Sequence, residues 1–113
     1  MKKIFVIFVI LIGFSSCYYD NQEDLYGIEC STTDLTYSNQ MEKVFSQSCA
    51  TTGCHVSGNG IAIYDSYGSI MNSVDNGTII DRVINKKNMP PSGALSDCDY
   101  SLINEWIKQG AKE

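Results

Sequence analysis

The residues best suited to chemistry in this chain are two cysteines and a histidine in the stretch Cys49-Ala50-Thr51-Thr52-Gly53-Cys54-His55. Two cysteine sulfurs can add to the vinyl groups of a haem, and a histidine directly after the second cysteine can ligate its iron. The usual spacing puts two residues between the cysteines, and here there are four. Gly53 can adopt the positive φ that a longer loop needs to turn. The stretch therefore predicts one covalent haem c on Cys49 and Cys54, with His55 as the proximal iron ligand.

Three other uses of Cys49 and Cys54 compete with haem attachment. They could form a small disulfide in an exported protein. A zinc site needs four ligands, which the single histidine and the remaining cysteines do not readily supply. A redox-active dithiol normally has two residues between its cysteines at the start of a helix, and it needs no adjacent histidine.

Met89 is the predicted distal iron ligand. It lies 34 residues after His55, in Asn88-Met89-Pro90-Pro91. Prolines restrict the backbone and so help to hold a weak sulfur ligand near iron, and thioether sulfur favours the ferrous state. Met41 and Met71 occupy apolar positions of predicted helices, so we expect them to fill the core.

The N-terminus is typical of a bacterial lipoprotein. Lys2 and Lys3 precede an apolar run over residues 4–14, which is too short to cross a bilayer, where about 20 residues are needed. Ser15 and Ser16 then precede Cys17, as in a lipobox. We expect residues 1–16 to be a signal peptide and Cys17 to be lipidated; the alternative is an ordinary signal peptide cut nearby.

Charge restricts the partners of the exported chain. Without residues 1–16, six of the eight Lys and Arg residues and all 13 acidic residues remain, so the formal net charge falls from −5 to −7. This acidity argues against a nucleic-acid partner and against binding to anionic membranes, so membrane attachment would depend on the lipid. Residues 17–35 are predicted to be an acidic, solvated tether, although such a run could also be a surface-export address.

The five cysteines divide between three roles. Cys17 is assigned to the lipid, and Cys49 and Cys54 to the haem. Cys30 and Cys98 remain, and a disulfide between them is permitted outside the reducing cytosol. We pair them only because they are the two cysteines left over, since a sequence does not determine disulfide connectivity.

The apolar pattern predicts an all-α domain. Four helices are expected. The first is capped by Ser38 and runs into Cys49, and the second is capped by Asp65 and ends at about residue 74. The third covers residues 78–84, and the last runs from Ser96 to Gly110. Residues 86–95 are expected to form a loop because of their two prolines. The last helix carries one apolar face, formed by Cys98, Leu102, Ile103, Trp106 and Ile107.

The order of these motifs resembles the small monohaem c-type cytochromes that occur as bacterial lipoproteins. Cys-x4-Cys-His, short helices, Met-Pro-Pro and the Trp-Ile-x-x-Gly-Ala stretch of residues 106–111 follow in that order. The resemblance covers residues 37–111. It implies a class I cytochrome c-like fold for residues 36–113, in which the first and last helices cross near the haem edge. It also implies the ligand pair His55 and Met89.

The expected function is one-electron transfer between exported redox partners, at a membrane-anchored position facing the periplasm or the cell surface. Ligation by both His55 and Met89 leaves no open iron position, so we expect an electron carrier and not an enzyme. Lys86 and Lys87 could orient a docking partner or be ordinary solvated lysines. The alternatives are a haem-based sensor or peroxidase-like accessory from which Met89 dissociates, and a haem-free, disulfide-stapled lipoprotein for adhesion or binding.

Overall fold

The computed structural model describes residues 30–93 and 95–113, and every regular element in these ranges is helical. The predicted signal peptide, Cys17 and the tether up to residue 29 lie outside the described residues. Four helices follow in order: α1, with a π-helical stretch Tyr37–Met41 and an α-helical stretch Glu42–Ser48; α2, Tyr67–Asp75; α3, a π-helical Ile80–Asn85; and α4, Asp97–Lys108. The all-α prediction is confirmed. Within the described ranges, no helix has the length and apolar character needed to cross a membrane.

Helix α1 begins earlier than expected. Its cap is Thr36, whose Oγ1 accepts a hydrogen bond from the Asn39 backbone N–H at 3.2 Å. The prediction of a Ser38 cap was therefore wrong by two residues. Threonine is also a good cap, and Tyr37 is held at the helix start because its N–H donates to the Lys112 carbonyl oxygen at 2.9 Å. A long-range contact thus decides between two suitable caps.

The middle helices differ from prediction in detail. The cap of α2 is Ser66 instead of Asp65, and the Ser66 N–H donates to Ser69 Oγ at 3.2 Å. Residues 78–79 lead helically into α3, so the helix expected over residues 78–84 is present, but most of it is π-helical. The i→i+5 bond from Lys86 N–H to Asp81 O, at 2.9 Å, closes its last turn.

The core lies between α4 and α1. Leu102, Ile103 and Trp106 are completely buried, as the apolar face of α4 predicted. The Trp106 ring meets Phe45 of α1 edge-on, with ring centroids 5.9 Å apart, and its Nε1 donates to the Lys112 carbonyl oxygen at 2.9 Å. The remaining core residues are at most 8% exposed: Leu35, Met41, Val44, Cys49, Tyr64, Ile70, Ile79, Val83, Leu95 and Ala111. Helix α4 therefore supports the elements that surround the site.

Residues 30–35, the part of the predicted tether that the structure describes, are attached to α4 and to Gln109 just after it. Cys30 forms a disulfide with Cys98, at a Cα–Cα distance of 5.6 Å. The Gln109 side chain accepts from the Leu35 N–H at 3.2 Å and donates to the Thr32 carbonyl oxygen at 2.7 Å. Leu35 is completely buried. The packed chain thus extends back to Cys30, within the segment predicted as tether.

We expect loss of the Cys30–Cys98 disulfide to destabilise the domain without changing its helices. The bridge joins residues 68 positions apart, and a loop of this size is worth at most about 4 kcal/mol through the entropy of the unfolded chain. Urea denaturation of the Cys30→Ser/Cys98→Ser double variant should show a loss up to this value. A reductant should lower the stability of the wild type to that of the variant and leave the variant unchanged. Equal stability of oxidised and reduced wild type would contradict a structural role for the bridge.

Candidate functional site

A mostly apolar cleft of about 280 Å³ brings together all four residues predicted to bind haem, namely Cys49, Cys54, His55 and Met89. Its walls are the end of α1, the loop that follows α1, the residues leading into and forming α3, and the loop between α3 and α4. The other lining residues are Ser48, Gly53, Ile61, Tyr64, Thr78, Ile79, Arg82, Val83, Pro90 and Pro91. Residues 34 positions apart in sequence therefore share one site.

The wide spacing between the cysteines is accommodated by a closed loop. The Cys49 and Ala50 N–H groups both donate to the Phe45 carbonyl oxygen, at 2.9 and 2.8 Å, which anchors the loop to the end of α1. The His55 N–H donates to the Cys49 carbonyl oxygen at 3.1 Å, so the chain returns to its starting point. Gly53 has a φ of +83°, as the sequence predicted. The four intervening residues thus leave Cys49, Cys54 and His55 on the same cleft.

The His55 imidazole is held in one tautomer by a backbone carbonyl. Its Nδ1 lies 2.7 Å from the carbonyl oxygen of Ala62. A carbonyl oxygen can only accept, so Nδ1 carries the proton, and the lone pair of the neutral ring is on Nε2. This is how metal-ligating histidines are usually oriented, with one ring nitrogen donating to the protein and the other available to the metal.

Cys49 and Cys54 are free thiols that are not bonded to each other. Burial raises the pKa of Cys49 to about 12, with smaller contributions from Asp99 and Cys54. Cys49 therefore stays a neutral thiol at physiological pH. Reactive dithiols need the thiolate, so this environment disfavours a redox-active dithiol. Among the described residues, no three His, Cys, Asp or Glu side chains are grouped as metal ligands.

The loop that carries Met89 is tied to α3. The Asn88 and Met89 N–H groups both donate to the Arg82 carbonyl oxygen, at 3.0 and 3.3 Å. Met89 is half-buried and lines the cleft. Met41 is completely buried in the core, and Met71 is partly buried and packs against the core, as their helical spacing predicted. Met89 thus differs from these two methionines in facing a cavity.

The two lysines beside Met89 have partners within the chain. Lys86 Nζ forms an exposed ion pair with Asp81 at 2.8 Å, and Lys87 Nζ lies 4.7 Å from the centre of the Tyr100 ring. Both contacts favour the interpretation that these are ordinary surface lysines. Arg82 is the cation that lines the cleft among the described residues.

Sequence reasoning did not single out Tyr64 and Arg82, which both line the cleft. The Tyr64 ring stacks on the His55 imidazole, with centroids 4.2 Å apart. Tyr64 lies in an irregular segment just before α2, where no periodicity marks a buried side chain. Its aromatic character next to the predicted start of α2 was the available signal, and Arg82 could have been noticed as the sole arginine of the chain.

Comparison of the chain with protein-family models, with curated proteins and with solved structures gave no match. The assignment of a function therefore depends on the motifs and the geometry of the cleft.

We expect Gly53→Ala to destabilise the protein by about 1–2 kcal/mol, the cost of a left-handed conformation for a residue with a Cβ. The cost is conformational, because a Cβ at Gly53 meets nothing within 4 Å. Gly68→Ala is the matched control. Its Cβ also meets nothing within 4 Å, and it lies in α2 without a positive φ, so alanine should stabilise by about 0.5–1 kcal/mol. Urea denaturation measures both; destabilisation of equal size in the two variants would refute the assigned loop conformation.

Proposed function

We propose that the cleft holds a covalently attached haem c and that the protein is a one-electron carrier of the class I cytochrome c type. The observation that carries the proposal is the convergence of Cys49, Cys54, His55 and Met89 on one apolar cleft. The contact between α1 and α4 through Phe45 and Trp106 also supports it, since that fold packs its first helix against its last.

The residues present fit this cofactor. Cys49 and Cys54 supply the two thiols for thioether bonds, His55 offers Nε2, and Met89 offers a thioether sulfur. Arg82 provides a guanidinium that could pair with a propionate. The cavity volume of about 280 Å³ is close to the lower end of small-molecule sites, about 300–1,000 Å³. The cleft is partly open to solvent, so a group larger than this volume would leave an edge exposed.

These assignments separate what the haem would supply from what the chain does. A bound haem would supply the Fe(III)/Fe(II) couple, and the chain attaches it, ligates it and shields it from water. With both His55 and Met89 bound to the iron, no position would remain for a substrate, which favours a carrier over an enzyme. The partners are then exported donor and acceptor proteins, with no role for nucleic acid.

The deciding experiment is the absorption spectrum of the exported protein together with its covalent haem content. We expect a low-spin spectrum and haem that stays on the chain in a denaturing gel. Cys54→Ala and His55→Ala should each abolish the normal holo-protein, because attachment fails in the first and ligation in the second. Wild-type haem content in Cys54→Ala would show that attachment occurs elsewhere.

The same spectrum separates the alternatives. A high-spin ferric form would favour the sensor or peroxidase-like function, since Met89 would then be off the iron. A protein that lacks haem, with both thiols free or joined to each other, would favour the haem-free lipoprotein.

Met89→Ala should retain covalent haem, because Cys49, Cys54 and His55 are unchanged. The vacated position should bind imidazole or carbon monoxide far more readily than in the wild type, and the reduction potential should fall because the sulfur that favours Fe(II) is gone. Spectral titration and potentiometry measure these effects.

Met71→Ala is the control for Met89→Ala, since Met71 packs against the core. It should change neither ligand binding nor potential. Its cost should be in stability, below the roughly 2–5 kcal/mol of a fully buried methionine because Met71 is only partly buried. A ligation change in Met71→Ala with none in Met89→Ala would assign the distal position to α2.

We also propose that the chain is anchored to a bacterial membrane, in the periplasm or at the cell surface, by a lipid on Cys17. Cys17→Ala should leave the haem spectrum unchanged and release the protein from membranes. Fractionation in high salt measures this, and continued sedimentation of the variant with membranes would place the anchor elsewhere.

A further inference from the structure

The aromatic ring of Tyr64 lies parallel to the imidazole of His55. The ring centroids are 4.2 Å apart and the planes differ by 13°. Tyr64 is only 7% exposed, and the Phe45 ring meets it edge-on with centroids 6.1 Å apart. Since Phe45 is itself packed against Trp106, the tyrosine ring is braced against the core. The imidazole therefore has a rigid aromatic surface along one face.

The backbone draws the same two residues together. The Tyr64 N–H donates to the His55 carbonyl oxygen at 2.9 Å, and two residues earlier the Ala62 carbonyl oxygen accepts from His55 Nδ1 at 2.7 Å. A hydrogen bond to a carbonyl tolerates a broad range of approach angles, so it fixes where Nδ1 points but permits the ring to tilt. A parallel ring in contact with the imidazole face opposes that tilt.

We propose that Tyr64 is a positioning residue that sets the plane of the His55 imidazole at the haem iron. The proposal rests on the haem function proposed above and adds a residue that the Cys-x4-Cys-His motif does not contain. Groups around a ligating histidine commonly fix its ring orientation and tune the metal. Here the hydrogen bond to Ala62 selects the ligating nitrogen, and the stack with Tyr64 selects the plane.

The plane of an axial imidazole determines how the iron d orbitals split, so it is read directly by spectroscopy of the ferric state. The test uses the full exported holo-protein and compares Tyr64→Phe with Tyr64→Leu. Phenylalanine keeps the stacked ring and should reproduce the wild-type electron paramagnetic resonance g values and haem methyl proton shifts. Leucine removes the flat aromatic face, so the g values should shift and the signals should broaden. If the leucine variant does not accumulate, Tyr64→Met serves in its place.

A general loss of packing should not produce this signature. Tyr67→Leu is the matched control, because Tyr67 is a partly buried tyrosine that contacts the Tyr37 ring and donates to the Ala111 carbonyl oxygen, away from the cleft lining. It should lower the melting temperature and leave the g values unchanged. Equal shifts in Tyr67→Leu and Tyr64→Leu would overturn the proposal.

Failure of the proposal is distinguishable from failure of the haem function. If the wild type carries covalent haem and Tyr64→Leu has wild-type g values, or Tyr64→Phe shifts as far as Tyr64→Leu, Tyr64 does not position His55. If the wild type carries no haem, the haem function falls. The stack is then tested by the carbon-bound ring protons of His55, the sole histidine in the chain. They should be shifted upfield in wild type and Tyr64→Phe but not in Tyr64→Leu; identical shifts in all three would refute the stack.

Discussion

The hydrogen bond from His55 Nδ1 to the Ala62 carbonyl oxygen is the constraint on which the site depends. It decides which ring nitrogen keeps its lone pair, and it requires the chain after His55 to return to the same side chain within seven residues. That return is secured by the bond from the Tyr64 N–H to the His55 carbonyl oxygen and by the burial of the Tyr64 ring beside Phe45. A polar constraint at the cleft is thus held in place by apolar packing behind it.

The loops that form the two sides of the cleft are attached to different helices, α1 and α3, and both of these helices contact α4. The cysteine loop is bonded to the last turn of α1 through the Phe45 carbonyl oxygen, and the methionine loop is bonded to α3 through the Arg82 carbonyl oxygen. Helix α4 contacts both α1 and α3. Its buried Trp106, which contacts Phe45, therefore stabilises the relative positions of residues that it does not touch.

The sequence predicted local structure correctly where a single nearby residue was suited to the required conformation. The Ser96 cap, with its Oγ accepting from the Asp99 N–H at 3.0 Å, and the positive φ of Gly53 both followed from the sequence. The prediction failed where neighbours were equally suitable: Thr36 and Ser66 cap the helices assigned to Ser38 and Asp65. Leu35 was missed because a single apolar residue in a polar segment has no periodicity. Its burial and its backbone hydrogen bond to Gln109, just after α4, join parts of the chain that are distant in sequence.

The sequence alone determined the chemistry that the chain can offer: adjacent Cys54 and His55, a second thiol at Cys49, a thioether at Met89, and amphipathic helices. These are properties of residue types and short spacings, which the chain carries before it folds. Only the tertiary structure decided that Met89 shares a cleft with His55, that Nε2 is the available nitrogen, and that Tyr64 lies against the imidazole. Each of these depends on how loops return onto packed helices, and that return is set by the burial of side chains far apart in sequence.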